Sequence, residues 1–339
     1  MGATIEDDRF VIAADAGGTF SRVGCFSLDG RLLSSAMGEG GSPYHQGDDA
    51  AANVADTTVR ALAGGGLDAA NAVGLVAGLA MVSRPGSNQG DGDNDWARDF
   101  FRVPGLKCER IIVNDAVVAH RGALLGKPGV MVVAGTGSMV LAIDEAGNEV
   151  ESGQFEHYAG AARHLVFEAV QLILTGSATT ADADFVAAVA RYWDAEDVTS
   201  LRRVLLGLTG TDPMEVRHRY GKLAPVVTGA ADTSPLADRA LRHLADRTAR
   251  GVRLLAPLVG DEIVSVSTTG GLATTPTFTR RLEESLSESP AAPVTLVPAA
   301  LDALRGAAVI AYQRAGIVID QDLIARLRGS QQSASEAAA

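Results

Sequence analysis

The sequence predicts an α/β protein whose central unit is built twice, and three features carry that expectation. The apolar runs Phe10 to Ala14 and Val23 to Leu28 flank Asp15-Ala16-Gly17-Gly18-Thr19, which reads as strand, tight glycine turn, strand. Val130 to Ala134, Gly135-Thr136-Gly137-Ser138 and Met139 to Ile143 repeat the arrangement. Helical patterns and further short strands mix through the rest of the chain, as in an α/β fold. A third glycine pair, Gly270-Gly271, follows the apolar run Ile263 to Val266.

In chain order, residues 1–9 read as a loose leader, and 10–15, 22–28 and 31–37 as a meander of strands. Leu28-Asp29-Gly30 turns the first hairpin onward, as Asp144 to Asn148 turns the second. Gly40 to Pro43 opens a loop carrying Tyr44 and His45. Asp48 or Asp49 is placed to cap a helix running to about Leu62, with Val54, Val59 and Leu62 on its buried side. Gly64 to Gly66 ends it, and Ala72 to Val82 reads as a buried strand. Residues 83–95 read as a solvated acidic loop, with Arg84 or an acid as the alternative rim of a substrate site. Trp96, Phe100 and Phe101 share one helical face. Ile111 to Val113 is a strand ending in Asn114-Asp115, followed by a helix over 116–125.

Beyond the second hairpin the pattern is helical over 159–174, 185–192, 198–206, 214–227 and 235–258. A strand is expected over 263–266, a helix over 276–287, a strand over 294–297 and a last helix over 303–315. Residues 330–339 read as a disordered tail.

Composition narrows the function. A chain of 339 residues with 47% hydrophobic and 21% charged residues has material for two packed domains in a globular protein. A net charge of −12 argues against nucleic acid as the main partner, because a phosphate backbone favours a basic surface. Cys25 and Cys108 are the two cysteines, too few for a disulfide framework or structural zinc. The acidic start lacks a signal-peptide pattern and no apolar run reaches the roughly 18 residues of a membrane span. The expectation is a cytoplasmic protein without a membrane partner.

The chemistry gathers at the glycine turns. Adjacent glycines leave no Cβ over the backbone, so successive N–H groups can converge on one anion. Thr19, Thr136 and Ser138 add hydroxyls, and Asp15 is placed to hold a metal or its water. Gly17, Gly18, Gly135 and Gly137 are thus candidate phosphate contacts. Asp115, at the carboxyl end of a strand, either caps the next helix or takes a proton from an attacking hydroxyl. The turn at 135–138 runs into a strand, so it is not the elbow of a hydrolase.

These motifs, in this order, resemble the N-acetylglucosamine kinase and BadF/BadG/BcrA/BcrD-type ATPase family of the actin-like, sugar-kinase and Hsp70 superfamily. The resemblance runs from about residue 10 to 316. Asp15 to Thr19 resembles the first phosphate motif and Ala134 to Ser138 the second. Val113 to Ala116 resembles the strand end bearing the catalytic aspartate, Thr269 to Leu272 the adenosine motif, and Pro298 through Ala308 the closing helix. The resemblance implies two actin-like (ribonuclease H-like) domains with a nucleotide cleft between them. Their expected bounds are 1–117 and 118–329, the second with a helical insertion.

It further implies ATP and Mg2+, Asp15 as the metal residue, Asp115 as the general base, and Gly270 and Gly271 at the nucleotide. A homodimer is compatible with it. The family's usual Gly-Asp-Glu-Gly-Ser, whose acidic pair binds sugar hydroxyls, is missing from the equivalent stretch Ser152 to Ala161, where Tyr158 and Ala159 replace the pair. Tyr44, His45, Asn114, Glu156, His157 and Tyr158 become the candidate acceptor contacts, suited to a differently substituted ring, a cationic one among the options. The implied activity is phosphorylation of a sugar, amino sugar or aminocyclitol. The rivals are an ATPase that activates a partner enzyme, which the placement of the cysteines disfavours, and a non-catalytic sensor.

Overall fold

A computed structural model describes residues 8–82, 95–260, 263–288 and 293–337, with side chains as far as 330. Residues 1–7 of the expected leader and 83–94 of the expected acidic loop, Arg84 included, lie outside the described residues.

The elements in order are β1 (Phe10–Ala16), β2 (Phe20–Ser27), β3 (Leu32–Glu39), α1 (Pro43–Gln46), α2 (Asp49–Gly64), β4 (Ala72–Leu79), α3 (Asp95–Phe100), β5 (Arg110–Asn114) and α4 (Asp115–Leu124). Then come β6 (Gly129–Ala134), β7 (Ser138–Ile143), β8 (Glu149–Glu151), α5 (Ala162–Leu174), α6 (Ala183–Tyr192), α7 (Val198–Gly207), α8 (Pro213–Lys222), α9 (Ala224–Ala230) and α10 (Pro235–Val259). The chain closes with β9 (Val264–Thr269), α11 (Pro276–Ser287), β10 (Val294–Leu296), α12 (Ala303–Arg314) and α13 (Gln321–Ala337).

Two compact units result: 1–127 with 298–339, and 128–297. Among the described residues, the first unit's sheet has the order β3-β2-β1-β4-β5 and the second unit's β10-β9-β6-β7-β8. In each, the glycine hairpin and the next strand are antiparallel, while two later strands add in parallel beside the hairpin's first strand. The two sheets therefore share one topology, and the fold is the two-sheet α/β arrangement the repeated hairpins predicted.

Period-2 alternation builds the first unit's core. Phe10, Ile12, Ala14 and Ala16 of β1 face Val54, Ala61 and Leu62 of α2, while Val11 and Ala13 face α12. The last helices return to this unit because α12 and α4 meet without side chains at the crossing. A Cβ on Gly306 would stand 1.9 Å from the Val118 carbonyl oxygen, so only glycine permits this approach. The unit boundary accordingly falls after Lys127 rather than at 117, and 298–329 belong with the first unit, not the second. The tail expected from 330 is helical to Ala337 as part of α13.

Smaller differences have local causes. Val59 is exposed at 43%, because α2 buries the stripe of Val54, Thr58, Ala61 and Leu62. The strand expected to reach Val82 stops at Leu79: the Ala80 N–H bonds back to Ala16 O and Met81 takes a left-handed φ of 64°. The helix expected over 214–227 breaks into α8 and α9, the second carrying Pro225 in its first turn, where a missing N–H is tolerated. α5 starts at Ala162, not Ala159, since Gly160 has a φ of 99°. Asp48 stands at the start of α2 but makes no side-chain cap bond.

Candidate functional site

In the first unit the turn of residues 17–19 is held by backbone and by one short helix. Gly17 N–H bonds Phe20 O at 3.0 Å, and Gly41 N–H bonds Gly17 O at 3.0 Å. Gln46 Nε2 donates to Gly18 O at 2.8 Å. His45 lies against Gly18, where an added Cβ would stand 2.9 Å from Nδ1. Ser42 Oγ donates to Ala80 O at 2.9 Å, so its hydroxyl oxygen is left to accept from His45 Nδ1 at 3.0 Å. Of the two candidates in that loop, His45 thus packs on the glycine turn, and Tyr44 is 64% exposed beside it.

Asp15 ends β1 and pairs across the hairpin with Arg22, whose Nη2 donates to Asp15 Oδ2 at 2.6 Å. Arg22 Nη1 is also 3.6 Å from Asp302 Oδ2, and Arg305 Nη1 is 3.0 Å from the same oxygen. Burial works against the Arg22 charge, yet Asp15 and Asp302 hold its pKa above the ordinary arginine value. Sequence reading missed Arg22. The signal was available: with residues 16 and 21 paired beside the turn, residue 22 must face residue 15.

Asn114 and Asp115 divide the duties at the end of β5. Asn114 is the cap of α4: its Oδ1 accepts the Ala116 N–H at 2.9 Å, and its Nδ2 donates to Val82 O at 3.1 Å. Its amide is thereby turned inward and 7% exposed. Asp115 is the first helical residue, half-buried, and so is not the cap that one reading of the sequence allowed.

In the second unit, Gly135 N–H closes the turn on Gly137 O at 2.9 Å, and a Cβ on Gly137 would meet nothing within 4 Å. Gly270 lies against this turn. It has a φ of 100°, and a Cβ there would stand 2.6 Å from Ala134 O. Leu272 and Ala273 N–H both donate to that same oxygen, at 3.1 and 2.9 Å. The second and third glycine motifs, far apart in sequence, are thus brought together, with Gly271 open beside them. Thr136 and Ser138 complete the turn, half-buried or exposed.

The rebuilt loop reaches the same turn, because Ala162 N–H at the start of α5 donates to Gly135 O at 3.0 Å. Its three candidates part ways. Glu156 is exposed with a left-handed φ of 53°, and Tyr158 is 63% exposed. His157 faces α10 instead: its Nε2 donates to Arg247 O at 2.8 Å and its ring covers Gly251. Arg247 Nη2 donates to Tyr158 O at 2.7 Å, which locks the loop to α10.

Cys25 is fully buried and its thiol pKa is pushed up to about 11 by burial, so it is an inert core residue. No helix among the described residues is long and apolar enough to cross a membrane.

Comparison with known proteins bears on the family and the fold. The sequence pattern of the BadF/BadG/BcrA/BcrD ATPase family matches residues 14–311. No curated protein matches. Among solved structures, a candidate N-acetylglucosamine kinase from Chromobacterium violaceum is 24% identical, with a TM-score of 0.69 over 91% of this chain and 100% of that one. A candidate N-acetylglucosamine kinase from Porphyromonas gingivalis is 13% identical, with a TM-score of 0.66 over 91% and 100%. A ROK family glucokinase from Streptomyces griseus, solved with glucose and AMPPNP, is 20% identical, with a TM-score of 0.57 over 90% and 99%. At these identities the likeness is one of fold.

Proposed function

Because the chain belongs to the BadF/BadG/BcrA/BcrD ATPase family, we propose that it is an ATP-dependent kinase for a hydroxyl of a sugar, amino sugar or aminocyclitol. The observation that carries the reading is the division of labour at the end of β5. Asn114 takes the helix cap, and Asp115 stands half-buried as the next residue, a carboxylate at the carboxyl end of a parallel strand.

The residues fit the donor. The open face at Gly137 and Gly271 admits a phosphate to backbone N–H groups that a side chain would cover, and Thr136 and Ser138 carry hydroxyls on the same turn, as Thr19 does on the first. The donor set also suits magnesium, which takes one or two carboxylates and fills its shell from phosphate oxygens and water. Asp15 is such a carboxylate, oriented by Arg22. Bound there, the ion would offset charge on the phosphates.

In the reaction, Asp115 accepts the proton of the acceptor hydroxyl. The hydroxyl oxygen bonds to the γ-phosphorus while the bond from that phosphorus to the β–γ bridging oxygen breaks, and ADP leaves with that electron pair. Tyr44, His45, Glu156 and Tyr158 remain the proposed acceptor contacts. Asn114 and His157 support them through the cap and the loop rather than by direct contact. A cytoplasmic location and a homodimer are part of this proposal.

A coupled ADP-release assay with magnesium tests it, using N-acetylglucosamine, glucosamine, neutral hexoses and aminocyclitols side by side. Acceptor-dependent ADP release is the expected result, with N-acetylglucosamine a poor acceptor because Tyr158 and Ala159 stand where the acidic pair would be. ATP binding without acceptor-dependent release from any sugar or cyclitol would favour the sensor reading, which the same replacement supports.

A further inference from the structure

Four charged side chains of the first unit are linked in series, from the first hairpin to the closing helices. Arg22 Nη2 donates to Asp15 Oδ2 at 2.6 Å, and Arg22 Nη1 stands 3.6 Å from Asp302 Oδ2. Arg305 Nη1 donates to that same oxygen at 3.0 Å, while Asp302 Oδ1 accepts the Arg305 backbone N–H at 2.9 Å and so caps α12. Arg305 is 2% exposed and is fixed from α13: its Nε donates to Leu327 O at 2.9 Å, and its guanidinium lies over the Phe26 ring, 5.9 Å from the centroid. Both oxygens of Asp302 are thus held by α12 before Arg22 meets them.

An arginine facing a single carboxylate tends to close on it as a fork, with two parallel N–H groups on the two oxygens. Arg22 divides itself instead. One Nη serves Asp15, the other faces Asp302, and its Nε is buried with no partner among the described residues. Asp15 therefore gives Oδ2 to Arg22 and keeps Oδ1 out of the pair. A carboxylate forked at both oxygens has spent its best lone pairs, whereas one open oxygen is enough for a magnesium ion or its water.

We propose that Asp302 is a positioning residue for the metal site. It draws one Nη of Arg22 away from Asp15, and Arg305, anchored on α13, holds Asp302 where it can do so. This rests on the reading that places magnesium at Asp15, and it adds residues from the end of the chain to a site otherwise built by the first hairpin.

The test is calorimetry of AMPPNP, a non-hydrolysable ATP analogue, on the full chain with and without magnesium; the ratio of the two affinities is read. Asp15→Asn removes the enhancement by magnesium. Asp302→Asn preserves the cap, for which asparagine is as good as aspartate. It lowers the enhancement by about 10- to 100-fold, the range for groups that orient a metal ligand, and leaves the affinity without magnesium unchanged. A role in folding alone would lower both affinities or neither. In an Arg22→Lys background the same substitution changes the enhancement by about twofold or less, because an ammonium is a point charge with no fork to close. Should Asp302→Asn fail to fold, Asp302→Asn with Arg305→Gln removes both charges of the buried pair, strands neither, and shows the same loss.

An unchanged enhancement in Asp302→Asn, or an equal loss in the Arg22→Lys background, overturns the inference and leaves the metal at Asp15 standing. An enhancement that is absent from the wild type, or that survives Asp15→Asn, defeats the metal reading and the inference with it. An enhancement that depends on Asp302, without acceptor-dependent ADP release, supports the inference and defeats the kinase reading.

Discussion

The two glycine hairpins have one topology and opposite chemistry. In β1–β2 the pair beside the turn is Ala16 with Ser21, and the next is Asp15 with Arg22. In β6–β7 the pair beside the turn is Ala134 with Ser138, and the next is Val133 with Met139. The same register position is thus an ion pair in one unit and a neutral pair in the other. The first turn is packed under His45 and Gln46, whereas the second is open at Gly137 and braced from below by Gly270. A duplicated scaffold needs its hydrophobic register in both copies, but it needs a carboxylate in only one. The pair beyond Ala16 is where the chain departs from its own repeat.

The largest effect that sharpens this comparison is at Asp115, which the second unit does not match with an acid in an equivalent strand end: β10 ends in Leu296. Asp115→Asn preserves the start of α4, since Asn114 is the cap, and lowers acceptor-dependent ADP release by about 10²–10⁴-fold. Near-wild-type turnover in the variant would place the proton transfer elsewhere.

The pair itself can be converted. Arg22→Met leaves the Asp15 carboxylate, 17% exposed, without its 2.6 Å partner, and the expected loss is about 1–3 kcal/mol in urea unfolding. Asp15→Val combined with Arg22→Met gives the first hairpin the character of the second, recovers most of that loss, and abolishes turnover. A double variant that remained active would show that Asp15 orients no metal.

The glycines separate by the same logic. Gly270→Ala forces a Cβ to 2.6 Å from Ala134 O at a φ of 100°, with an expected cost of about 1–3 kcal/mol. Gly137→Val meets open space, so stability changes by about 0.5 kcal/mol or less while ATP affinity by calorimetry falls. An unchanged affinity would mean that the second turn does not receive the nucleotide.

A further effect concerns pH. His164 titrates at about 4 in the folded protein and near its ordinary 6.5 when unfolded, so the unfolded chain binds the extra proton between these values. Stability therefore falls as pH drops from 6.5 to 4, by no more than about 3 kcal/mol from this group. His164→Gln removes that part of the slope in chemical unfolding curves taken across the range. An unaltered slope would show that the ring is not held neutral by its surroundings.

What the sequence determined by itself was everything encoded within a hairpin's reach. Apolar runs, glycine turns and period-2 alternation are local, so both hairpins, the strand before Asp115 and most helices were legible, and with them the family. The Asp15–Arg22 pair was within that reach too, since hairpin register fixes it once the turn is known.

Only the tertiary structure decided the rest. Residues 298–329 return to the first unit because Gly306 lets α12 approach α4, a fit between helices that no local pattern records. Asn114 became the cap, and Asp115 was relieved of it, through a side-chain geometry that either residue type could have supplied. His157 turned to α10 because the Arg247 carbonyl was there to accept its proton. Arg163, Arg217 and Arg247 stand far apart along the chain, and long-range packing of three helices gave them one shared neighbour in His164. Charge acts through space rather than along the sequence, so the state of that imidazole was fixed only when those helices met.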